Sequence, residues 1–172
     1  MPQTHREDCT FLTDAGKFNY RVAAYIEVDG RILMASNPNE PYEFYYSVGG
    51  RVYLGETMQE AVERELLEET GIACKVDKII GIHENFFTDA AGTPYHEVSM
   101  FYKIEPNESL RTIKDGHLTD KGPDDEYLKW IDKDNPEGKT IYPIFFLDKD
   151  FGKDDICRHY ITRDGKTVLV SE

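Results

Sequence analysis

The sequence predicts a mixed α+β fold, and three observations carry the prediction. Segments rich in β-branched and aromatic residues recur along the 172 residues, several of them closed by Asp-Gly or another glycine turn. One stretch, 58–70, combines helix-forming residues with signals for both caps. Strand and helix segments do not alternate one for one, so the pattern is a layered arrangement and not a run of βα units.

The elements follow in order. Residues 18–28, FNYRVAAYIEV, form a strand that Asp29-Gly30 turns back into a return strand over 31–36. A loop with Pro38 and Pro41 follows. Residues 43–48 are aromatic and extended, and lead into Gly49-Gly50. Thr57 and Glu60 make a capping box and Gly71 a left-handed C-cap, so 58–70 is a helix of ordinary length. Residues 75–88 and 95–104 are two strands around an Ala91-Gly92 turn. The polar stretch 106–124 reads as a long loop, and loops of that length in a compact domain are often functional. Residues 127–131 are a short strand, 142–150 a second helix opened near Pro143, and 157–162 with 167–170 a hairpin over Asp164-Gly165.

The length suits one domain over 1–172, and 20 Phe and Tyr side chains supply a core. A net charge of −13 argues against a bare nucleic-acid backbone as partner, and a phosphate-bearing substrate would need cations to offset it. Three scattered cysteines, Cys9, Cys74 and Cys157, suit a reducing compartment. With no apolar leader and no run of about 18 apolar residues, the expectation is a cytoplasmic protein without membrane association.

The most informative run is Gly50 to Ile72, a glycine-bearing loop followed by the helix with Glu65, Glu68 and Glu69. On a helical wheel these glutamates continue the stripe begun by Ala61, beside Val62 and Leu66. Carboxylates in that position are costly unless paired or bound to a cation. An acidic helix is ordinarily solvated, but inward carboxylates next to a glycine loop suit Mg2+ or Mn2+, which keep waters and take further ligands from phosphates.

The same run resembles the Nudix box, G-x5-E-x7-R-E-U-x-E-E-x-G-U with U apolar. Gly50, Glu56, Arg64, Glu65, Leu66, Glu68, Glu69, Gly71 and Ile72 match every specified position. Many relatives have proline before the two glycines, where this chain has Val48. The resemblance implies an α/β/α sandwich with a mixed sheet and two main helices. It implies metal-dependent hydrolysis of a nucleoside diphosphate linked to another group, by attack of water on a P–O–P link. Carried over by position, Glu65, Glu68 and Glu69 would be metal ligands with the Gly50 carbonyl, and Glu56 and Arg64 would orient them. Family members are often dimers, so a homodimer is an open option.

A general base is needed. Glu68 is the first candidate, and Glu126, at the end of the long loop, is the second. Arg21 and Arg51 are candidates for phosphate contact. Tyr46 and Phe86 could stack a base, as could Tyr42, Phe44 and Tyr45, although core packing competes for most aromatics. His83 and His96 are candidate acids or bases, each more commonly a hydrogen-bonded strand residue. The segment 73–93 lacks the proline that ADP-ribose subgroups often carry after the box. Two other readings stand beside the hydrolase: a nucleotide or ADP-ribose sensor without turnover, and an isomerase of prenyl diphosphates.

Overall fold

The computed structural model describes residues 6–40, 42–119 and 126–172. Its described residues form two sheets around one α-helix. The strands are β1 (Thr10–Thr13), β2 (Gly16–Tyr25), β3 (Glu27–Val28), β4 (Arg31–Ser36), β5 (Phe44–Ser47) and β6 (Gly49–Arg51). After the helix α1 (Met58–Thr70) come β7 (Val76–Thr88), β8 (Pro94–Ile104), β9 (His117–Leu118), β10 (Tyr127–Asp132), β11 (Thr140–Tyr142), β12 (Arg158–Arg163) and β13 (Lys166–Ser171). One sheet runs β1-β2-β8-β7-β12-β13, with β6 added to β2, and the other runs β11-β5-β4-β10-β9, with β3 added to β4. Both sheets are mixed: β2–β8 and β7–β12 pair parallel in the first, β5–β11 in the second.

The helix forms where its caps predict. Glu60 N–H donates to Thr57 Oγ1 at 3.2 Å and Thr57 N–H donates to Glu60 Oε2 at 2.8 Å. Gly71 takes the left-handed conformation, φ 72°, and its N–H closes on Leu67 O. Ala61, Val62 and Leu66 join a core cluster with Val22, Ala24, Tyr102 and Ile104, which fixes the helix against the first sheet. Burial of each larger side chain contributes about 1.5–3 kcal/mol.

The aromatic stretch before the helix is divided between the sheets. Strand β5 belongs to one and β6 to the other, and the chain crosses at Val48, whose carbonyl accepts from Ala24 N–H at 2.9 Å. At Gly49 a Cβ would stand 2.2 Å from Val22 O, so only glycine permits this approach.

The second helix expected over 142–150 is absent. Strand β11 runs to Tyr142, Pro143 follows through a cis bond, and Ile144–Leu147 makes a single 3-10 turn. A residue before proline is pushed away from the helical region. Moreover, the adjacent Phe145 and Phe146 are both buried, and share a second core cluster with Tyr25, Phe101, Phe151 and Tyr160. Phe145 stacks on Tyr160 at 3.9 Å. Placing both neighbours and then Phe151 in one cluster needs a tight turn, not a continuing helix. The stretch 106–124 is also less loop-like than expected. It carries a 3-10 turn, Glu108–Thr112, with Leu110 buried, and strand β9; its last residues, 120–124, lie outside the described residues.

Candidate active site

The first turns of α1 face the protein, and the buried stripe then passes from Ala61 and Val62 to Glu65 and Glu69, which are 5% and 2% exposed. The expectation that all three glutamates share that stripe holds for these two. Glu68 lies about 60° from Glu65 on the side away from the stripe, and its side chain is 43% exposed. It sits at the rim, 3.4 Å from Arg64 Nη1.

Arg64 organises the cluster. Its Nε and Nη2 grip the two oxygens of Glu56, Nη1 donates to Glu65 Oε1 at 2.7 Å, and Nη2 also reaches the Arg51 carbonyl at 2.9 Å. The guanidinium lies 4.0 Å over the Tyr53 ring. Burial works against its charge, but Glu56 and Glu65 hold its proton more firmly than usual. Burial would likewise raise the Glu56 carboxyl; Arg64 and the Tyr53 N–H outweigh it and hold the group below its ordinary value. Glu69 Oε2 accepts from Gly49 N–H at 3.2 Å.

The loop and the helix meet at Gly50. A Cβ there would lie 2.3 Å from Glu65 Oε1, so the missing side chain is what lets the backbone lie against the carboxylate. Among the described residues no three His, Cys, Asp or Glu side chains are gathered into a metal cage. Mg2+ does not need one, since it binds through one or two carboxylates plus waters and substrate oxygens. Two buried carboxylates beside a glycine backbone therefore fit such an ion.

A cavity of about 610 Å³ is lined by Val22 and Ala23, which pair with Gly50 and Gly49, and by Ser47. Its lining brings together Arg21, Phe44, Tyr46, Phe86 and Glu126, five of the residues singled out from sequence. Tyr46 donates to Glu126 Oε1 at 2.6 Å; burial first, and then this bond and the charges of Glu126 and Glu69, raise the tyrosine's pKa. Other expected residues stand elsewhere. Arg51 is paired with Asp8 at 2.9 Å and Asn19 at 3.1 Å. His96 lies outside the cavity lining, packed 4.4 Å from the Phe86 ring and edge-on to Phe18. Tyr45 is fully buried in the core. His83 is buried against Thr162 Oγ1 at 2.7 Å, and burial, with His159 second, lowers its pKa to about 4.

Sequence reasoning missed Asn85, Glu97, Ser99 and Tyr142, which also line the cavity. The usable signal is polar residues at alternate positions of two strands, 83 and 85 on β7 and 97 and 99 on β8.

Known proteins resemble this chain in sequence and in fold. The family model described as NUDIX domain matches residues 17–142. A CTP pyrophosphohydrolase of Escherichia coli is 38% identical over 125 residues, covering 72% of this chain and 80% of its own length. An ADP-ribose pyrophosphatase of Methanocaldococcus jannaschii is 35% identical over 85 residues, covering 49% of this chain; the chain spans only 48% of that relative. Among solved structures, a MutT protein from Bacillus halodurans superposes with a TM-score of 0.54 at 18% identity, over 89% of this chain and 95% of its own, which shows the shared fold. Fold and box together define a hydrolase of pyrophosphate bonds in nucleoside diphosphate derivatives. The chain belongs to the Nudix family.

Proposed function

We propose that this chain hydrolyses a nucleoside triphosphate or a related nucleoside diphosphate derivative, with Mg2+ or Mn2+ bound at Glu65, Glu69 and the Gly50 carbonyl and with Glu68 at the rim. The observation that carries the reading is the contact between Gly50 and Glu65, a cradle that any Cβ would fill. Such an ion, when bound, neutralises phosphate oxygens and makes a water more acidic. The name of the Escherichia coli relative, which matches most of both chains, supports a nucleoside triphosphate.

The chain's own residues then divide the remaining tasks. Arg64 fixes Glu65 and Glu56, so the carboxylates need no rearrangement when substrate arrives. Arg21 faces the cavity near Tyr46 and Tyr142, where its charge offsets phosphate. Glu126 lies on the cavity wall with one oxygen held by Tyr46, whereas Glu68 lies on the outer helix face, so Glu126 is the better placed base. The water oxygen bonds to phosphorus as the bridging P–O bond breaks. The water's proton passes to Glu126, and the bridging oxygen leaves on phosphate.

Strands β12 and β13 fall outside the matched segment but pair into the first sheet through β7, which supports one domain over the whole chain. No helix among the described residues is long and apolar enough to cross a membrane, and the three cysteines are free, which suits a cytoplasmic location. Exposed Val168, Leu169 and Val170 on the edge strand β13 support a homodimer through that edge.

The test is release of phosphate or pyrophosphate across a panel of nucleotides with Mg2+. Glu65→Gln and Glu69→Gln should each abolish turnover and weaken Mn2+ binding measured without substrate. Tight nucleotide binding with no turnover by the parent protein would overturn the hydrolase reading in favour of a sensor.

A further inference from the structure

Four polar side chains stand in register across the first sheet. Asn19 on β2 pairs with Glu97 on β8, Glu97 with Asn85 on β7, and Asn85 with Thr162 on β12. Paired residues share a sheet face, about 5 Å apart, and all four are more than nine-tenths buried. The ends of the row are tied. Asn19 Nδ2 donates to Glu97 Oε2 at 2.7 Å while its Oδ1 accepts from Arg51 Nε at 3.1 Å, and Thr162 is bonded to His83 and Thr167. The middle is open. Among the described residues the Asn85 carboxamide and Glu97 Oε1 have no hydrogen-bond partner, and both residues line the cavity beside the glutamate site. These polar atoms open into the cavity, where a bound molecule can pair with them.

The walls indicate a flat ring. Tyr46, Tyr142 and Phe87 line the cavity, while the Phe86 ring packs on the other face of β7 against His96. The floor presents a carboxylate, which only accepts, next to a carboxamide, which donates and accepts. An amino group on a nucleobase gives its protons to Glu97, and the neighbouring ring nitrogen or carbonyl accepts from Asn85 Nδ2. Uracil matches poorly, because its edge turns two carbonyl oxygens toward the carboxylate around a single N–H. We infer that Glu97 and Asn85 select the substrate by reading the amine-bearing edge of its base, favouring cytosine and guanine over their amine-lacking counterparts uracil and hypoxanthine. The inference rests on the nucleotide-hydrolase reading, which puts the phosphates at the glutamates and the base on this floor.

The experiment compares base pairs that differ in the exocyclic amine. Hydrolysis of GTP, ITP, CTP and UTP is followed with Mg2+, and binding of the same four is followed by calorimetry without it. GTP should exceed ITP, and CTP should exceed UTP, by about ten- to a hundredfold in kcat/KM, the value of a hydrogen bond to a charged group. Glu97→Gln keeps an oxygen for Asn19 but adds a donor, and should bring both ratios to within about twofold. Ratios near one in the parent protein, or ratios unchanged in the variant, overturn the inference. Turnover without base preference sinks the base reading alone. Binding that keeps the preference without turnover sinks the hydrolase reading alone. Asn85→Leu supplies a second arm, and should weaken binding of GTP and CTP more than that of ITP and UTP.

Discussion

Arg64 grips Glu56 with two parallel hydrogen bonds, Nε to Oε1 at 2.7 Å and Nη2 to Oε2 at 2.9 Å, with both side chains nearly out of solvent. The same guanidinium reaches Glu65 and the Arg51 carbonyl, so one residue joins the loop before the helix to the carboxylate within it. Lysine carries the charge but cannot form the fork. Arg64→Lys should therefore lower stability by about 2–4 kcal/mol, as breaking a buried ion pair does, and reduce kcat by more than about tenfold. Urea unfolding beside steady-state kinetics checks both. A fully stable variant with normal kcat would show that Arg64 supplies charge alone.

Gly50 makes a narrower prediction, because its backbone is not in a conformation reserved for glycine and only the space around it forbids a side chain. Gly50→Ala puts a methyl group against Glu65, which must move away from Gly50 or push the loop aside. Displacing a working group by about 1 Å costs on the order of a hundredfold in rate. Turnover should fall by that factor with the circular dichroism spectrum retained, and Mn2+ affinity should fall with it. Unchanged metal affinity would mean that Glu65 does not need its present position.

What the sequence disclosed about this site was what local chemistry encodes. Thr57, Glu60 and Gly71 bracket the helix through contacts within a few residues, so its limits and the positions of Glu65 and Glu69 follow from spacing. The hairpins at Asp29-Gly30 and Asp164-Gly165 are legible for the same reason, since Asp29 and Asp164 adopt positive φ beside their glycines. The cavity floor was not legible. Asn19, Glu97, Asn85 and Thr162 come together through the antiparallel β7–β8 pairing and two parallel pairings, β2–β8 and β7–β12, whose register is set far along the chain. Phe145 and Phe146 read as a helix start because nothing near them reveals that a distant Tyr160 and Phe101 will cover them. Strand β1 was missed because its Phe11 and Leu12 are both exposed and give no alternating signal.

Tyr46 and Glu126, 80 residues apart, meet through the 2.6 Å bond of the tyrosine hydroxyl to the carboxylate. If Glu126 takes the proton from water, Tyr46 positions it. Tyr46→Phe keeps the ring and removes the bond, and should lower kcat by about tenfold with little change in KM. Glu126→Gln should lower kcat by more than about a hundredfold, and the double variant should be no worse than Glu126→Gln alone. Additive losses would mean that the two residues act independently. Normal turnover in Glu126→Gln would return the base to Glu68.

His83 predicts a pH dependence of stability that is separable from the site. The residue is 1% exposed, bonded to Thr162 Oγ1 and surrounded by Phe101, Tyr142 and Phe145, with nearby His159 a second, smaller influence against its charging. The folded protein therefore binds the proton only near pH 4, whereas the unfolded chain binds it near pH 6.5. Above pH 6.5 both states are neutral at this residue and it adds no pH dependence. As pH falls from 6.5 toward 4, the unfolded chain gains a proton that the folded chain refuses, and stability drops by up to about 1.4 kcal/mol per unit, on the order of 3 kcal/mol in all. Carboxylates such as Glu56 are also lost over the acidic end of this range, so the measurement must be differential. His83→Gln can keep a hydrogen bond to Thr162 and does not titrate. Between pH 7.5 and 4.5 the parent protein should lose about 2 kcal/mol more unfolding free energy than the variant, read from urea titrations at both pH values. Equal losses in the two proteins would mean that the folded state accommodates a charged His83.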